Sequence, residues 1–313
     1  MSKEISYYDK KTKLKNVLTL KEALVKAEEN HFAIGSFSPR YSPMIRPILR
    51  AGEKTQSPLI IQISEKELVR YDVTPKEIAE EFYTALIEEN ITVPVVLHLD
   101  HTKQMSVIEE AIEAGFTSVM IDASEKELEE NIKISKEAVE FAHTKGVSVE
   151  AELGKIGTTD FVETDKDEEL YTDPQEALKF VMATNCDALA VSVGTAHGVY
   201  NVRQPKVDLE RLIAIRDLTP VHLVLHGGSG VPSYMIKEAT NLSNGGISKV
   251  NIATDLELSF LKSLGREERM TNEECKALPL EQLEVGRAAI EKTVMDKIEN
   301  FLGSANKTGV FDL

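Results

Sequence analysis

The chain has 313 residues, of which 42% are hydrophobic and 28% charged, a balance that fits a soluble globular protein and argues against dominant disorder. Its formal net charge of −16 opposes non-specific attraction to nucleic acid or to an anionic membrane, so an anionic substrate needs local donors or a metal. The two cysteines, Cys186 and Cys275, form no Cys-x-x-Cys pair, which excludes a disulfide framework and a thiolate zinc cluster and fits a reducing compartment.

The opening MSKEISYYDKKTKLKN leads into no apolar h-region, and no apolar run is long enough to span a bilayer, so a cytoplasmic location is expected. Eight short apolar runs then follow in order. They are AIGSFS (33–38), PLIIQIS (58–64), PVVLHLDH (94–101), SVMIDAS (118–124), SVEAELG (148–154), ALAVSVG (188–194), HLVLHGGSG (222–230) and ISKVNIAT (247–254).

Helix signals separate them. Thr74-Pro75-Lys76-Glu77 joins an N-cap, a proline at the first helical position and a capping-box glutamate; Ser124-Glu125-Lys126-Glu127 and Asp173-Pro174-Gln175-Glu176 repeat the pattern. In the helix expected from Ser124, the residues Leu128, Ile132, Ala138 and Phe141 share one face. Near-continuous apolar strands alternating with amphipathic helices predict a parallel sheet covered on its outside. Eight such units predict a closed (β/α)8 TIM barrel, an α/β fold forming a single domain over 1–313, with extra helix in the last forty or so residues.

Barrel sites lie at the C-terminal ends of the strands, so polar residues there carry special weight. Run three ends in Asp100-His101, run four in Asp122 and run five in Glu150 and Glu152; run six is followed by His197, and run seven ends in His226-Gly-Gly-Ser-Gly. Three imidazoles at one rim suit Zn²⁺, which favours nitrogen ligands, and His101, His197 and His226 form the expected metal set. Asp100, beside a ligand, becomes the expected proton donor and acceptor, because a lone buried carboxylate is costly. Asp122 and Glu152 fit ligands of a second cation, partners of the histidines, or members of an ion-pair network. Glu150 is assigned a structural place, His31 and His143 a solvated one near helix ends, and His222 a position away from the rim. His98 shares a strand face with Asp100 and fits either an orienting or a barrel-interior role. Ser229, Asn251 and Thr254, with Gly198 after His197, converge where barrels often bind phosphate. Metal, phosphate cradle and adjacent acid together suggest aldol chemistry on a phosphorylated carbonyl compound.

The segments LHLDH, SVMIDAS, SVEAELG, GTAHGVY, VLHGGSG and KVNIAT, in this order and spacing, closely resemble the class II fructose-bisphosphate/tagatose-bisphosphate aldolase family, from about residue 20 to the C-terminus. The resemblance implies Zn²⁺ on His101, His197 and His226, with Asp122 and Glu152 at a second metal position for a divalent or monovalent cation, and Asp100 as proton donor. It also implies a dihydroxyacetone phosphate site formed by Ser64, Gly198, Gly227, Gly228, Ser229, Asn251, Ile252, Ala253 and Thr254. A homodimer or homotetramer is implied as well. Two departures stand out. Gly157-Thr158-Thr159-Asp160 replaces the family's Gly-Gly-x-Glu-Asp, leaving Asp160 or Glu163 to supply the loop acid, and Ser38 stands where asparagine is common. The expected reaction is cleavage of fructose or tagatose 1,6-bisphosphate to dihydroxyacetone phosphate and glyceraldehyde 3-phosphate. The alternatives are a zinc aldolase for a different, deoxy or modified aldehyde and a noncatalytic subunit of an aldolase complex.

Overall fold

All eight apolar runs form parallel strands: β1 (Ile34–Phe37), β2 (Leu59–Ser64), β3 (Val95–Thr102), β4 (Ser118–Ile121), β5 (Ser148–Leu153), β6 (Ala188–Val191), β7 (His222–Leu225) and β8 (Ile247–Ile252). The computed structural model describes residues 14–158, 170–198, 200 and 204–313. Each strand pairs with its neighbours in sequence, and β1 pairs with β8 (Ile34 opposite Lys249), which closes the barrel. Closure leaves no sheet edge among these strands.

Alternation along each strand creates two cores. Outward side chains such as Ile61, Leu97, Leu99, Val119, Val149, Leu189, Leu223 and Val250 pack against the surrounding helices. Inward ones in the lower half, Ile34, Ile60, Val96, Met120, Ala190 and Val224, join a smaller cluster with the helix α1 (Leu20–Glu29). Leu20 and Leu24 of α1 are fully buried and plug the barrel floor, each contributing about 1.5–3 kcal/mol. The C-terminal half of the barrel interior is left for other chemistry.

The crossover helices are α2 (Ile45–Thr55), α3 (Glu65–Tyr71), α4 (Pro75–Glu88), α5 (Met105–Ala114), α6 (Leu128–Thr144), α7 (Pro174–Thr184), α8 (Leu209–Leu218), α9 (Ser233–Thr240) and α10 (Thr254–Ser263). Thr74 and Glu77 form the expected reciprocal box at α4, and Asp173 accepts from the N–H groups of Gln175 and Glu176 at α7. Ser124 departs from expectation. The helix starts at Leu128, not at Ser124, because the Ser124 hydroxyl and N–H both donate to Asp122 Oδ1, at 2.7 and 3.2 Å. That serine serves the rim rather than the helix. His143 is solvent-exposed as expected and also lies 2.8 Å from Asp187.

Past α10 come α11 (Asn272–Lys276) and the long α12 (Leu280–Asp296), which continues into a π-helical turn over Lys297–Leu302. The C-terminal helix was expected; it packs on α2 and α10. Among the described residues no helix is long and apolar enough to cross a membrane.

Candidate active site

Strand alternation alone would send His101 to the face opposite Asp100, out of the barrel. The β3–β4 register breaks between Leu99 and Thr102, and His101 takes a left-handed φ of 30°, uncommon for a residue with a side chain. Its N–H meets the Met120 sulfur at 3.3 Å. The bulge turns two consecutive polar side chains to one rim.

His197 arrives differently. It lies on a two-residue strand after β6, paired with the segment after β5 through Thr158 opposite His197. Tyr200 fastens this segment: its hydroxyl accepts from the Ala196 N–H at 2.8 Å and lies 3.3 Å from the Gly227 carbonyl. His226 follows β7 directly and is fully buried. The three imidazoles meet with ring centroids 4.5 to 5.9 Å apart, and one ligand atom from each lies within 4.8 Å of the others.

Two of the three rings are oriented by carboxylates. His101 Nδ1 lies 2.9 Å from Asp122 Oδ2, and His226 Nε2 lies 2.8 Å from Glu150 Oε1. The other nitrogens, His101 Nε2 and His226 Nδ1, are buried without a hydrogen-bond partner, the arrangement expected of metal ligands steadied from behind. A divalent cation fits these donors. Glu152 stands 3.7 Å from His101 and 3.5 Å from His226, and with Asp122 and His101 it forms a second, overlapping donor group. Asp122 thus acts on His101 while remaining a candidate ligand.

The electrostatics agree with a cation-binding cluster. Burial opposes charge on His101, but Asp100, Asp122 and Glu152 outweigh it and hold its pKa at about 10. Burial, then the proximity of His101, lowers His197 to about 4 and His226 well below the ordinary value. Burial raises Glu152 to about 8, whereas Asp122 is lowered, its own burial cost overcome by His101 and Ser124. The buried acids can neutralise one positive centre, and the imidazoles cannot all protonate together.

Asp100 sits beside them, 5% exposed. Asn251 Nδ2 donates to its Oδ1 at 3.1 Å and Gln62 Nε2 to its Oδ2 at 3.3 Å. Asn251, expected on the phosphate, therefore holds the acid, although it also lines the cavity. Below this layer Lys249, fully buried, donates to Asn251 at 2.7 Å and pairs with Glu150 at 2.8 Å. One buried lysine thus braces both Asp100 and, through Glu150, His226. Glu150 is more than structural filler, since it orients a histidine. His98 resolves as barrel interior: Nδ1 meets the Ser118 hydroxyl at 2.8 Å, and burial, then Lys249, keeps it neutral.

A cavity of about 250 Å³ opens onto Asp100, His101 and His197, and its wall includes Ser64, Gly198, Gly227, Ser229, Ala253 and Thr254. The Ser229 hydroxyl accepts from the Ala253 and Asp255 N–H groups at 3.3 and 3.2 Å, at the start of α10, where donors favour an anion. Ser64 caps α3, its hydroxyl accepting from the Glu67 N–H at 3.2 Å. Two expected residues stand back from the cavity. Ile252 is buried in the core outside the barrel, and its carbonyl accepts from Ser38. A Cβ on Gly228 would lie 2.4 Å from a Val250 methyl, so packing requires glycine there. Gly227, which lines the cavity, is also fixed by close approach, at φ 69°, where a Cβ would meet the Ala196 carbonyl at 2.3 Å.

Sequence reasoning missed Gln62, Lys249, Tyr200 and Arg40. Gln62 and Lys249 are polar residues on the inward face of buried strands, so period-two alternation could have found them. Arg40 lines the cavity between Glu67, with which it pairs, and Glu257 at 3.7 Å. Ser38, at the family's asparagine position, donates to Glu67 at 2.9 Å. The loop positions Thr159, Asp160 and Glu163 lie outside the described residues.

Comparison with known proteins agrees with this geometry. Residues 18–307 match the family described as fructose-bisphosphate aldolase class-II. The fructose-bisphosphate aldolase of Geobacillus stearothermophilus is 39% identical over 294 residues, covering 93% of this chain and 99% of the relative. That of Staphylococcus aureus is 37% identical over 291 residues, with the same coverages. Among solved structures, the YdjI aldolase of Escherichia coli K12 superposes with a TM-score of 0.78 at 33% identity, covering 93% of this chain and 99% of that one.

Proposed function

The chain belongs to the class-II fructose-bisphosphate aldolase family of zinc-dependent lyases, and from that premise we propose that it reversibly cleaves a ketose 1,6-bisphosphate to dihydroxyacetone phosphate and glyceraldehyde 3-phosphate. One observation carries the reading: in a single cavity, Asp100 and the imidazoles of His101 and His197 face a wall of small residues ending at the N-terminus of α10.

His101, His197 and His226 would hold the zinc, which when bound would supply Lewis-acid stabilisation of the negative charge developing at the carbonyl of the ketose phosphate. In the cleavage direction Asp100 takes the proton of the hydroxyl on the carbon that becomes the aldehyde, and in condensation it returns that proton. Gln62 and Asn251 keep its carboxylate aimed, so that both directions use one geometry. Asp122 and Glu150 fix the rings of His101 and His226, and Glu152 remains a candidate ligand for a second cation. The donor phosphate is received by Ser229, Gly198, Gly227 and the backbone N–H groups opening α10, with Ser64 on the opposite wall.

A second reading keeps the donor site and changes the aldehyde, and the Gly157-Thr158-Thr159-Asp160 sequence in place of the family's acidic loop favours keeping it in view. Product analysis with fructose and tagatose 1,6-bisphosphates, with and without a chelator, separates the two. Chelator-sensitive release of dihydroxyacetone phosphate from either bisphosphate supports the first reading. Turnover of other ketose phosphates in preference to both would replace it with the second.

A further inference from the structure

The overall charge of −16 repels a ketose carrying a phosphate at each end, so its far end needs cations of its own. The cavity wall holds three: Arg40, Lys66 and Arg70. Arg40 is already engaged. It pairs with Glu67 and approaches Glu257, which also takes two hydrogen bonds from Arg269. This network ties α3 to α10 with its charges balanced, two guanidiniums against two carboxylates.

Lys66 and Arg70 stand on α3, four residues apart and so on one face of the helix. Both are exposed, and neither has an ion-pair partner among the described residues. Glu67, between them in sequence, is turned inward onto Ser38, Ser64 and Arg40 and does not cancel them. Their helix starts one residue after Ser64, which is the direct partner of Asp100 in the β2–β3 ladder. The donor cradle follows β6, β7 and β8, so β2 is separated from β8, β7 and β6 by two, three and four steps round the barrel. The two ends of the substrate therefore meet different chemistry, backbone donors at one and free cations at the other.

Resting on the aldolase reading, we propose that Lys66 and Arg70 form the acceptor subsite and select aldehydes bearing a terminal anion, phosphate or carboxylate, with Arg40 as the positioning residue that seats α3. Exposed charges of this kind act weakly singly, and their effect depends on ionic strength.

The test is condensation of dihydroxyacetone phosphate with three aldehydes: glyceraldehyde 3-phosphate, succinic semialdehyde and uncharged glyceraldehyde. The zinc-loaded wild type should prefer one or both anionic acceptors, and which one identifies the anion. In the double variant K66Q/R70Q, KM for the preferred acceptor should rise about tenfold, the effect of two exposed charge contacts. KM for dihydroxyacetone phosphate should move less than the acceptor's, and the salt dependence of the acceptor KM should flatten. The charge-conserving K66R/R70K variant should restore both. Equal use of charged and uncharged aldehydes by the wild type would overturn the proposal. So would an unchanged acceptor KM in K66Q/R70Q, or a rise confined to dihydroxyacetone phosphate, which would move the two cations to the donor phosphate. Failure to condense any aldehyde would instead count against the aldolase reading itself.

Discussion

The two halves of the barrel interior are built by the same strands and have opposite chemistry. At the floor, Ile60, Val96, Met120 and Val224 interlock with α1, and every one is essentially excluded from water. Two or four residues further along the chain from these strand positions stand Gln62, His98, Asp100 and His226, also buried but joined by hydrogen bonds and ion pairs. The lower half stabilises by removing apolar area from water, and the upper half stores charge that needs a cation and a substrate. A long closed barrel can hold such a costly cluster because the apolar layers below and outside carry the fold.

That division predicts which substitutions separate stability from chemistry. His226→Ala should remove the zinc, and with it turnover, as read by metal analysis of the purified protein, while the circular dichroism spectrum stays that of the barrel. Ile60→Ala should do the reverse, costing about 2–5 kcal/mol in denaturant unfolding while the folded enzyme keeps its zinc and its kcat. If Ile60→Ala released zinc before unfolding, the halves would not be separable. Glu150→Gln joins them: it leaves His226 less well oriented and Lys249 without its carboxylate, and zinc affinity should fall about 10- to 100-fold in competition with a chromogenic chelator.

The smallest effect lies outside the barrel. Burial opposes the charge of Glu257, but Arg269, Arg40 and Tyr71 outweigh it and lower its pKa. A lowered carboxylate contributes stability that is present above its unfolded value and is lost as pH falls through the folded one. Glu257→Gln should therefore flatten the acid side of the stability–pH curve, below about pH 4.5, and leave its slope near neutrality unchanged. An unchanged acid limb would show that the Arg40–Glu257–Arg269 network adds nothing to folding.

Much of the upper half could be read from single strands. The apolar runs located all eight strands, and polar residues at their ends located the three histidines and Asp100. What escaped depends on contacts between residues remote in sequence or on backbone that breaks its own period. Period two places His101 outside the barrel, and only the β3 bulge brings it in. Ser124 has a helix-capping pattern, yet its hydroxyl is drawn to Asp122 and the helix begins later. Lys249 bracing Glu150 and Asn251 joins β5 to β8, a pairing that no local pattern encodes. Gly227 and Gly228 suggested an anion cradle, and close packing adds a second reason for glycine at each: a Cβ would meet the Ala196 carbonyl at Gly227 and a Val250 methyl at Gly228.

The central claim is that metal holding and proton transfer fall to adjacent residues, His101 and Asp100. Asp100→Asn tests it, with zinc content and kcat measured on the same preparation. The account predicts full zinc occupancy with kcat lowered by about 10²- to 10⁴-fold, the usual share of a general acid–base group. Zinc retained with kcat unchanged would contradict it.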